Sequence, residues 1–331
     1  MKQYDLLSYI AVFMLVFVVQ KDSYAKEKVM SEDYWNDPLV LEVNRLPARA
    51  HFFAFAQDPG SFQVQPWDSS NFYSLNGTWQ FYLAATPHEP QAGFTRGDYD
   101  DSKWGTINVP GNWEFSGYHY PNYVNMRADW SETPTIGVIP SENNLTGRYR
   151  KVFSLPTDWQ NERVVLHIGA VKSAIKIWVN GEFVGYSQDS KTAAEFDISR
   201  WLHAGENIIA FEVYRWSDGS FLELQDMWRL NGIERDVYLY RTPKTHIKDI
   251  ELTATLDDSY QNGKLGLVVS IDGGTNSVGK VEAQLFNSSG EALWQGSTDV
   301  ADRKPMQYLL ENVKAWSAES PYLYPLRIKL F

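Results

Sequence analysis

The sequence predicts an all-β protein built from two successive β-sandwiches. From Phe72 onward, short apolar runs recur about every 8–12 residues and are separated by Gly, Pro, Asn and Asp, a pattern typical of consecutive antiparallel strands. A length of 331 residues suits about two domains, and a hydrophobic share of 44% is ample for packed cores. Long amphipathic helical patterns are missing from the sequence.

The first 25 residues predict a secretory signal peptide. Lys2 gives a positively charged start, Leu6 to Val19 is almost entirely apolar, and Ser23-Tyr24-Ala25 supplies the small residues of a cleavage site. The apolar run is too short to span a bilayer, although a retained membrane anchor is the alternative. We expect cleavage after Ala25, no membrane attachment afterwards, and a secreted, periplasmic protein.

Residues 26–70 form an N-terminal extension without a clear strand or helix period. The part from Trp35 to Ala56 mixes aromatic residues with prolines and arginines, and Asp58 to Ser70 is rich in turn-forming residues. We expect this extension to lie against the domain that follows.

Residues 71–243 form the first predicted sandwich. Asn180-Gly181 between apolar residues is the strongest short signal for a two-residue hairpin. The loop from Val109 to Asn144 is long and aromatic, which favours a functional role. The expected strands are Gly77–Leu83, Gly105–Val109, Thr146–Ser154, Arg163–Gly169, Ser173–Val179, Glu182–Ser187, Phe196–Asp197, Asn207–Tyr214 and Val237–Arg241.

Residues 244–331 form the second predicted unit, an immunoglobulin-like sandwich. Its turns are Asp-Asp, Asp-Gly-Gly and Ser-Ser-Gly sequences. We expect an incomplete sandwich in a piece of a longer protein, because the last run stops in mid-strand. The expected strands are Ile247–Leu256, Lys264–Asp272, Gly279–Phe286, Ala292–Thr298, Met306–Leu310 and Leu326–Phe331.

Composition narrows the function classes. The formal net charge of −11 argues against nucleic acid or an anionic membrane surface as a partner. With no cysteine, the chain has neither disulfides nor thiolate metal sites. Its 13 Trp and 19 Tyr favour a flat polar ligand such as a sugar, although aromatic residues also fill sandwich cores. No histidine pair has metal-ligand spacing; the six are His51, His88, His119, His167, His203 and His246.

The stretch from Arg215 to Tyr240 differs from the surrounding strand pattern. It reads RWSDGSFLELQDMWRLNGIERDVYLY and interleaves rings with charges of both signs. Unpaired charge is costly in a dry core, so the stretch predicts a wet, shaped pocket. The alternative is an Asp-Gly turn at Asp218-Gly219 followed by an ion-paired loop. Spacing alone leaves both interpretations open.

Several motifs occur in a fixed order along the chain and point to a family. With them in view, the chain resembles the N-terminal part of the large bacterial β-galactosidases of glycoside hydrolase family 2. The resemblance covers nearly everything after the predicted signal peptide. The motifs are WNDP at 35–38, NRL at 44–46, LNGTW at 75–79, VPGNW at 109–113, PNYVN at 121–125, NGEFVGYSQDS at 180–190, EFD at 195–197, AGEN at 204–207, and the stretch from Arg215 to Val237.

The resemblance implies a lectin-like, galactose-binding-like jelly-roll β-sandwich, then the immunoglobulin-like β-sandwich, then a catalytic TIM barrel that this chain lacks. It implies hydrolysis of terminal non-reducing β-D-galactose residues in β-D-galactosides with retention of configuration. Both catalytic glutamates belong to the barrel, so we expect no catalytic residue in this chain. Glu223 and Asp226 are expected to form an ion-paired cluster beside Arg229 rather than an acid–nucleophile pair.

The resemblance also assigns two substrate-binding residues. Asp218 matches the aspartate that binds the galactose 6-hydroxyl and a sodium ion, and Asn125 matches the loop asparagine that hydrogen-bonds the sugar. A turn residue capping its own loop is the alternative for Asn125. Residues 126–129, Met-Arg-Ala-Asp, depart from the family's usual sequence, which leaves the shape of the sugar edge open.

Further expectations follow from the same resemblance. A magnesium ion belongs in the barrel, and the N-terminal extension sits at subunit contacts, which allows a homo-oligomer for the full-length enzyme. Two other functions remain as alternatives. They are a stand-alone carbohydrate-binding module and a family 2 enzyme of β-glucuronidase type.

Overall fold

The computed structural model describes residues 33–331 except residues 126, 224, 274–278 and 303. The predicted signal peptide lies outside the described residues. Within them, no helix is long and apolar enough to cross a membrane.

The described residues form strands that pair only in antiparallel fashion, together with short 3-10 helices. The strands are β1 Glu42–Val43, β2 Phe72–Ser74, β3 Gly77–Ala84, β4 Gly105–Val109, β5 Gly111–Asn112, β6 Asn122–Val124, β7 Thr146–Ser154, β8 Arg163–Ile168, β9 Val171–Lys172, β10 Ala174–Val179, β11 Glu182–Gln188, β12 Ala194–Asp197, β13 Glu206–Tyr214, β14 Met227–Arg229, β15 Gly232–Ile233, β16 Val237–Thr242, β17 His246–Leu256, β18 Gly263–Asp272, β19 Lys280–Phe286, β20 Ala292–Asp299, β21 Met306–Leu310 and β22 Leu326–Leu330. The 3-10 helices are Tyr34–Asn36, Pro66–Asp68, Thr157–Trp159, Ser199–Trp201 and Asp218–Phe221.

Two facing sheets form the first sandwich. A seven-stranded sheet in the order β1-β11-β10-β13-β7-β3-β4 packs on a four-stranded sheet in the order β12-β8-β16-β2. Alternate residues of β13, Ile209, Phe211 and Val213, enter the core, where they meet Leu166 and Leu239 from the opposite sheet. Side chains that alternate between the two faces of a strand produce this spacing of two. The predicted all-β class is confirmed.

The hairpin expected at Asn180-Gly181 forms between β10 and β11. Val179 pairs with Glu182, which leaves a two-residue loop. Asn180 and Gly181 have φ values of 52° and 87°. Positive φ at both positions is what a type I′ turn requires, and Asn-Gly accepts it at the lowest steric cost.

The second sandwich consists of two three-stranded sheets, β17-β18-β21 and β20-β19-β22. Leu267 and Val269 of β18 pack against Val281 and Ala283 of β19 to form its core. The last strand, β22, pairs with β19 at Ala283 and Ile328. All six expected strands are present, with bounds within one residue of those predicted.

The N-terminal extension touches both sandwiches, which is more than the sequence predicted. In the first, β1 pairs with β11 and the Arg49 guanidinium donates to both oxygens of Glu195 at 2.9 and 2.8 Å. In the second, Asp58 accepts from Arg327 at 3.2 Å, and the Phe62 and Phe286 rings lie 4.9 Å apart. The extension therefore links the two sandwiches along their length.

Seven strands of only two or three residues escaped prediction. They are too short to show a period, and distant segments of the chain supply their partners. β6, for instance, pairs with β14 across more than a hundred residues. The long loop is likewise not uniform, because Trp113 is fully buried and its Nε1 donates to the hydroxyl of Tyr149 at 2.6 Å.

Gly147 on β7 provides a test of this packing. A Cβ added there would lie 2.7 Å from the Trp113 ring and 2.9 Å from the Phe81 ring. Since overpacking a filled core costs about 1–3 kcal/mol, we expect Gly147→Ala to lower the free energy of unfolding by about 2 kcal/mol in urea titrations. The matched control is Gly97→Ala, where a Cβ meets nothing within 4 Å. Equal unfolding midpoints for the two variants would contradict the packing described.

Candidate functional site

The stretch after β13 folds against the long loop that precedes β7. Strands β14 and β6 form a two-stranded ribbon in which Trp228 pairs with Tyr123. Asn125 follows β6 directly, so the ribbon brings its loop beside the stretch. The two rings also touch, with centroids 5.5 Å apart.

A buried ion pair joins the same two segments. Arg215 Nη2 lies 3.0 Å from Asp129 Oδ2, and the two side chains are only 10% and 3% exposed. The Arg215 guanidinium also lies 4.4 Å above the Trp216 ring. Trp130, next to Asp129, places its ring 5.3 Å from both Trp216 and Phe221. The loop that carries Asn125 is thus packed against the segment that carries Asp218.

Asp218 opens a 3-10 helix that runs to Phe221. Ser217 N donates to Ser220 Oγ at 3.1 Å, and Ser220 N donates back to the Ser217 carbonyl at 2.8 Å. The sequence Asp218-Gly219 therefore does form a tight turn, as the alternative interpretation expected. Only this turn of the alternative is confirmed, and it lies beside the pocket that the other interpretation predicted.

The Asp218 carboxylate is incompletely satisfied. Its Oδ2 accepts from Gln188 Nε2 at 3.4 Å, while its Oδ1 is buried with no hydrogen-bond partner among the described residues. Burial raises the pKa of Asp218, and the nearby Asp37 carboxylate raises it further, while the Gln188 hydrogen bond lowers it. A buried carboxylate oxygen without a partner is rare in native proteins and suits a cation or a ligand hydroxyl.

The N-terminal extension contributes to the surroundings of Asp218, which the sequence did not reveal. Asp37 follows the first 3-10 helix, and the preceding Asn36 accepts from Ile139 N at 2.9 Å. Trp35 packs with Tyr186, Tyr214 and Trp216 in a second core. This core holds Asp37 close enough to influence Asp218 electrostatically.

Asn125 has an exposed side chain on a loop whose backbone is held by Arg229. Arg229 Nη2 lies 3.4 Å from the carbonyl oxygens of Asn125 and Arg127. In the part of the chain that the structure describes, the Asn125 amide makes no hydrogen bond to its own loop. Its donor and acceptor are thus available to a ligand, and its role in binding stays a prediction.

A small pocket lies between these segments, with room for about 20 Å³ of water-sized contents. Five of its lining residues are charged, and two are tryptophans. The lining residues are Asp129, Trp130, Lys172, Arg215, Trp216, Ser220, Glu223, Arg229 and Asn231.

The expected ion-paired cluster of Glu223 and Asp226 with Arg229 is wrong. Glu223 accepts from Ser190 N at 2.9 Å and from Ser190 Oγ at 2.6 Å. Asp226 instead accepts from the hydroxyl of Tyr123. Each carboxylate holds a loop, and among the described residues neither forms an ion pair with Arg229. Arg229 is buried on β14 and lines the same pocket as Glu223, but its guanidinium contacts main-chain carbonyls instead.

Sequence reasoning also missed the inward-facing charges. Asp129, Lys172 and Arg229 are all largely buried in the site, but nothing in their local sequence distinguishes them from surface residues. The departure from the family's sequence at residues 126–129 was the one available signal, since Asp129 lies there. No group of three or more His, Asp or Glu residues suited to a metal ion occurs among the described residues.

Comparison with protein families gives two matches. Residues 72–243 match the model described as "Glycosyl hydrolases family 2, sugar binding domain", and residues 245–331 match the model described as "Glycosyl hydrolases family 2".

Similar curated proteins carry the name β-galactosidase. The chain is 37% identical to one from Priestia megaterium over 308 residues, which cover 89% of this chain and 30% of that protein. It is 36% identical to one from Halalkalibacterium halodurans over 308 residues, with 92% and 30% coverage. The chain thus spans about 30% of the length of these relatives.

Solved structures with the same fold are more distant in sequence. A β-glycosidase from Bacteroides vulgatus superposes with a TM-score of 0.60 at 23% identity, covering 78% of this chain and 32% of that one. A Bifidobacterium dentium β-glucuronidase gives a TM-score of 0.60 at 18% identity, with 78% and 45% coverage. These likenesses establish the fold alone.

Replacing Asp218 tests whether its buried carboxylate lacks hydrogen-bond partners in the folded protein. The folded state raises the pKa of Asp218, so the protein loses stability as pH rises from the unfolded-state pKa to the folded-state pKa of this carboxyl. At pH 7 without sodium, we expect Asp218→Asn to raise the free energy of unfolding by about 1 kcal/mol in urea titrations. The gain should vanish as pH falls below the unfolded-state value, where both forms are neutral.

Asp98→Asn is the control for this variant, because Asp98 is 70% exposed and pairs with Arg96 on the surface. A loss of stability in Asp218→Asn at pH 7, or a gain that persists unchanged at low pH, would refute the assignment.

Proposed function

The chain belongs to glycosyl hydrolase family 2, and on that premise we propose that it is the N-terminal portion of a β-galactosidase. The whole enzyme hydrolyses terminal non-reducing β-D-galactose residues with retention of configuration. The observation that carries this proposal is the 36–37% identity, over about nine tenths of the chain, to proteins named β-galactosidase.

Within that enzyme, this chain supplies one wall of the sugar site and a scaffold. Retaining hydrolysis requires two carboxyl groups about 5–5.5 Å apart, one as acid/base and one as nucleophile. The family resemblance assigns both to a barrel domain. Glu223 and Asp226 hold loops through Ser190 and Tyr123, which supports a structural role for them.

Asp218 binds the galactose 6-hydroxyl and a sodium ion in this proposal. Its buried Oδ1, which has no partner in the described part of the chain, supports the assignment, because an ionised carboxylate accepts a hydrogen bond and ligates a hard cation with the same pair of oxygens. A cation would offset the repulsion from Asp37 and return the pKa of Asp218 toward its ordinary value. The magnesium ion of the family belongs with the barrel and involves no residue described above.

Asn125 hydrogen-bonds the sugar from the opposite segment. An exposed amide on a loop fixed by Arg229 combines a rigid backbone with a free donor and acceptor.

We further propose export to the periplasm after cleavage at Ala25, and a homo-oligomeric full-length enzyme. The structural neighbours named β-glucuronidases are at most 20% identical, so they do not favour a uronide substrate.

The 331-residue chain by itself is expected to show no turnover. Purified chain incubated with a chromogenic β-galactoside should release chromophore no faster than a heat-denatured sample, since the proposed catalytic carboxyls lie elsewhere. Hydrolysis above that control, abolished by Glu223→Gln, would overturn the division of roles.

In the longer enzyme, Asp218→Ala should weaken substrate binding. A hydrogen bond to a charged group is worth about 1.5–3 kcal/mol, so KM for a β-galactoside should rise about 10–100-fold, and its dependence on sodium should disappear. Asp98→Ala, an exposed carboxylate change, is the control. An unchanged KM with retained sodium dependence would refute the role of Asp218.

A further inference from the structure

The pocket beside Asp218 holds more positive than negative charge. Its charged lining consists of three cations and two carboxylates. Asp129 is already used by Arg215 in the buried ion pair. Glu223 is already used by the two Ser190 donors. Lys172 and Arg229 are left facing the pocket without an acidic partner among the described residues.

Arg229 is the more strongly buried of these two cations. Its exposed fraction is 5%, and both Nε and Nη1 are buried without a hydrogen-bond partner in the part of the chain described. Only Nη2 is engaged, in two long contacts of 3.4 Å with main-chain carbonyls. Nε and Nη1 lie on different edges of the guanidinium, so each offers a separate free donor, and either one can donate to a small anion in the pocket.

Lys172, at the end of β9, reaches the same pocket from the other side. It is 8% exposed, and no hydrogen bond or ion pair joins its Nζ to another described residue. Burial lowers the pKa of Lys172, and the Lys191 and Arg229 cations lower it further, while Glu223 and Glu234 raise it. Two buried cations without a salt bridge of their own in one pocket are costly unless a ligand adds negative charge between them.

We propose that this pocket binds a small monovalent anion, of the size of chloride or formate, between Arg229 and Lys172. Three cations and two carboxylates leave one positive charge, which a single negative charge balances. The interior space of about 20 Å³ corresponds to one or two water-sized groups, which suits a small anion. A water molecule would satisfy donors but leave the charge uncompensated.

Bound anion would stiffen the wall of the site. Arg229 supports the Asn125 loop from β14, while Lys172 is part of β9 and pairs with Gly232 of β15. An anion that bridges the two cations would therefore connect the loop support to the strands behind it. This inference is independent of the proposed activity, and its test involves no galactoside.

The test compares sodium salts at constant sodium concentration and ionic strength, so that any sodium site stays equally filled. Thermal unfolding of the chain is followed as chloride or formate replaces gluconate, a much larger anion. A saturable rise in Tm is expected, reaching about 5–10 °C at a hundredfold excess over Kd. Tryptophan fluorescence should titrate with the same Kd, because Trp130 and Trp216 line the pocket.

Substitutions of the two cations test whether the anion-dependent rise in Tm arises in this pocket. Lys172→Gln and Arg229→Gln should each weaken anion binding at least tenfold, while Lys304→Gln should leave it unchanged. Lys304 is the matched control because it is 74% exposed and already paired with Asp302 in the second sandwich. If Arg229→Gln does not fold, Lys172→Gln and the wild-type titration still decide the question.

Three results would overturn the proposal. The first is a Tm that depends equally on chloride, formate and gluconate. The second is a linear, unsaturable dependence, which is the signature of general salt effects. The third is saturable binding that Lys172→Gln leaves unaltered.

Discussion

The buried ion pair between Arg215 and Asp129 is the contact on which the site depends. Its two ends belong to segments almost ninety residues apart, and each side chain is at most one tenth exposed. Removing either partner would leave a buried charge without compensation, at a cost of about 3–5 kcal/mol. Trp130 and Trp216 pack beside the pair, so the apolar contact depends on the same alignment. The loop of Asn125 and the turn of Asp218 are consequently placed by one electrostatic constraint.

Other buried charged groups near this ion pair indicate where ligands would bind. Among the described residues, one buried oxygen of Asp218 and two buried nitrogens of Arg229 have no hydrogen-bond partner. The two lie in neighbouring parts of one segment but carry opposite signs, which suits a cation at one and an anion at the other. Folded proteins satisfy nearly all buried polar atoms, so such exceptions cluster where a ligand completes the set. The stretch from Arg215 to Tyr240 is therefore a pocket wall whose buried charged groups lack some of their partners among the described residues.

The N-terminal extension connects this wall to the rest of the molecule. It packs Trp35 under Asp218's segment, ties Arg49 to Glu195 in the first sandwich and bonds Asp58 to Arg327 in the second. A segment without regular structure can only be ordered through such contacts, because its backbone forms few ladder hydrogen bonds of its own. The extension thus contributes both to the orientation of the sandwiches and to the electrostatics of Asp218.

The sequence by itself determined the all-β class, the two sandwiches and every described strand longer than three residues. Through family resemblance it also nominated Asp218 and Asn125 as binding residues, which stays a prediction. Those features are visible because strand periodicity, turn chemistry and ordered motifs are local patterns along the chain. Only the tertiary structure decided that Glu223 bonds Ser190 and not Arg229, that Asp37 lies near Asp218, and that Lys172 and Arg229 face one pocket. Burial and charge compensation arise between residues far apart in sequence, so no local pattern encodes them.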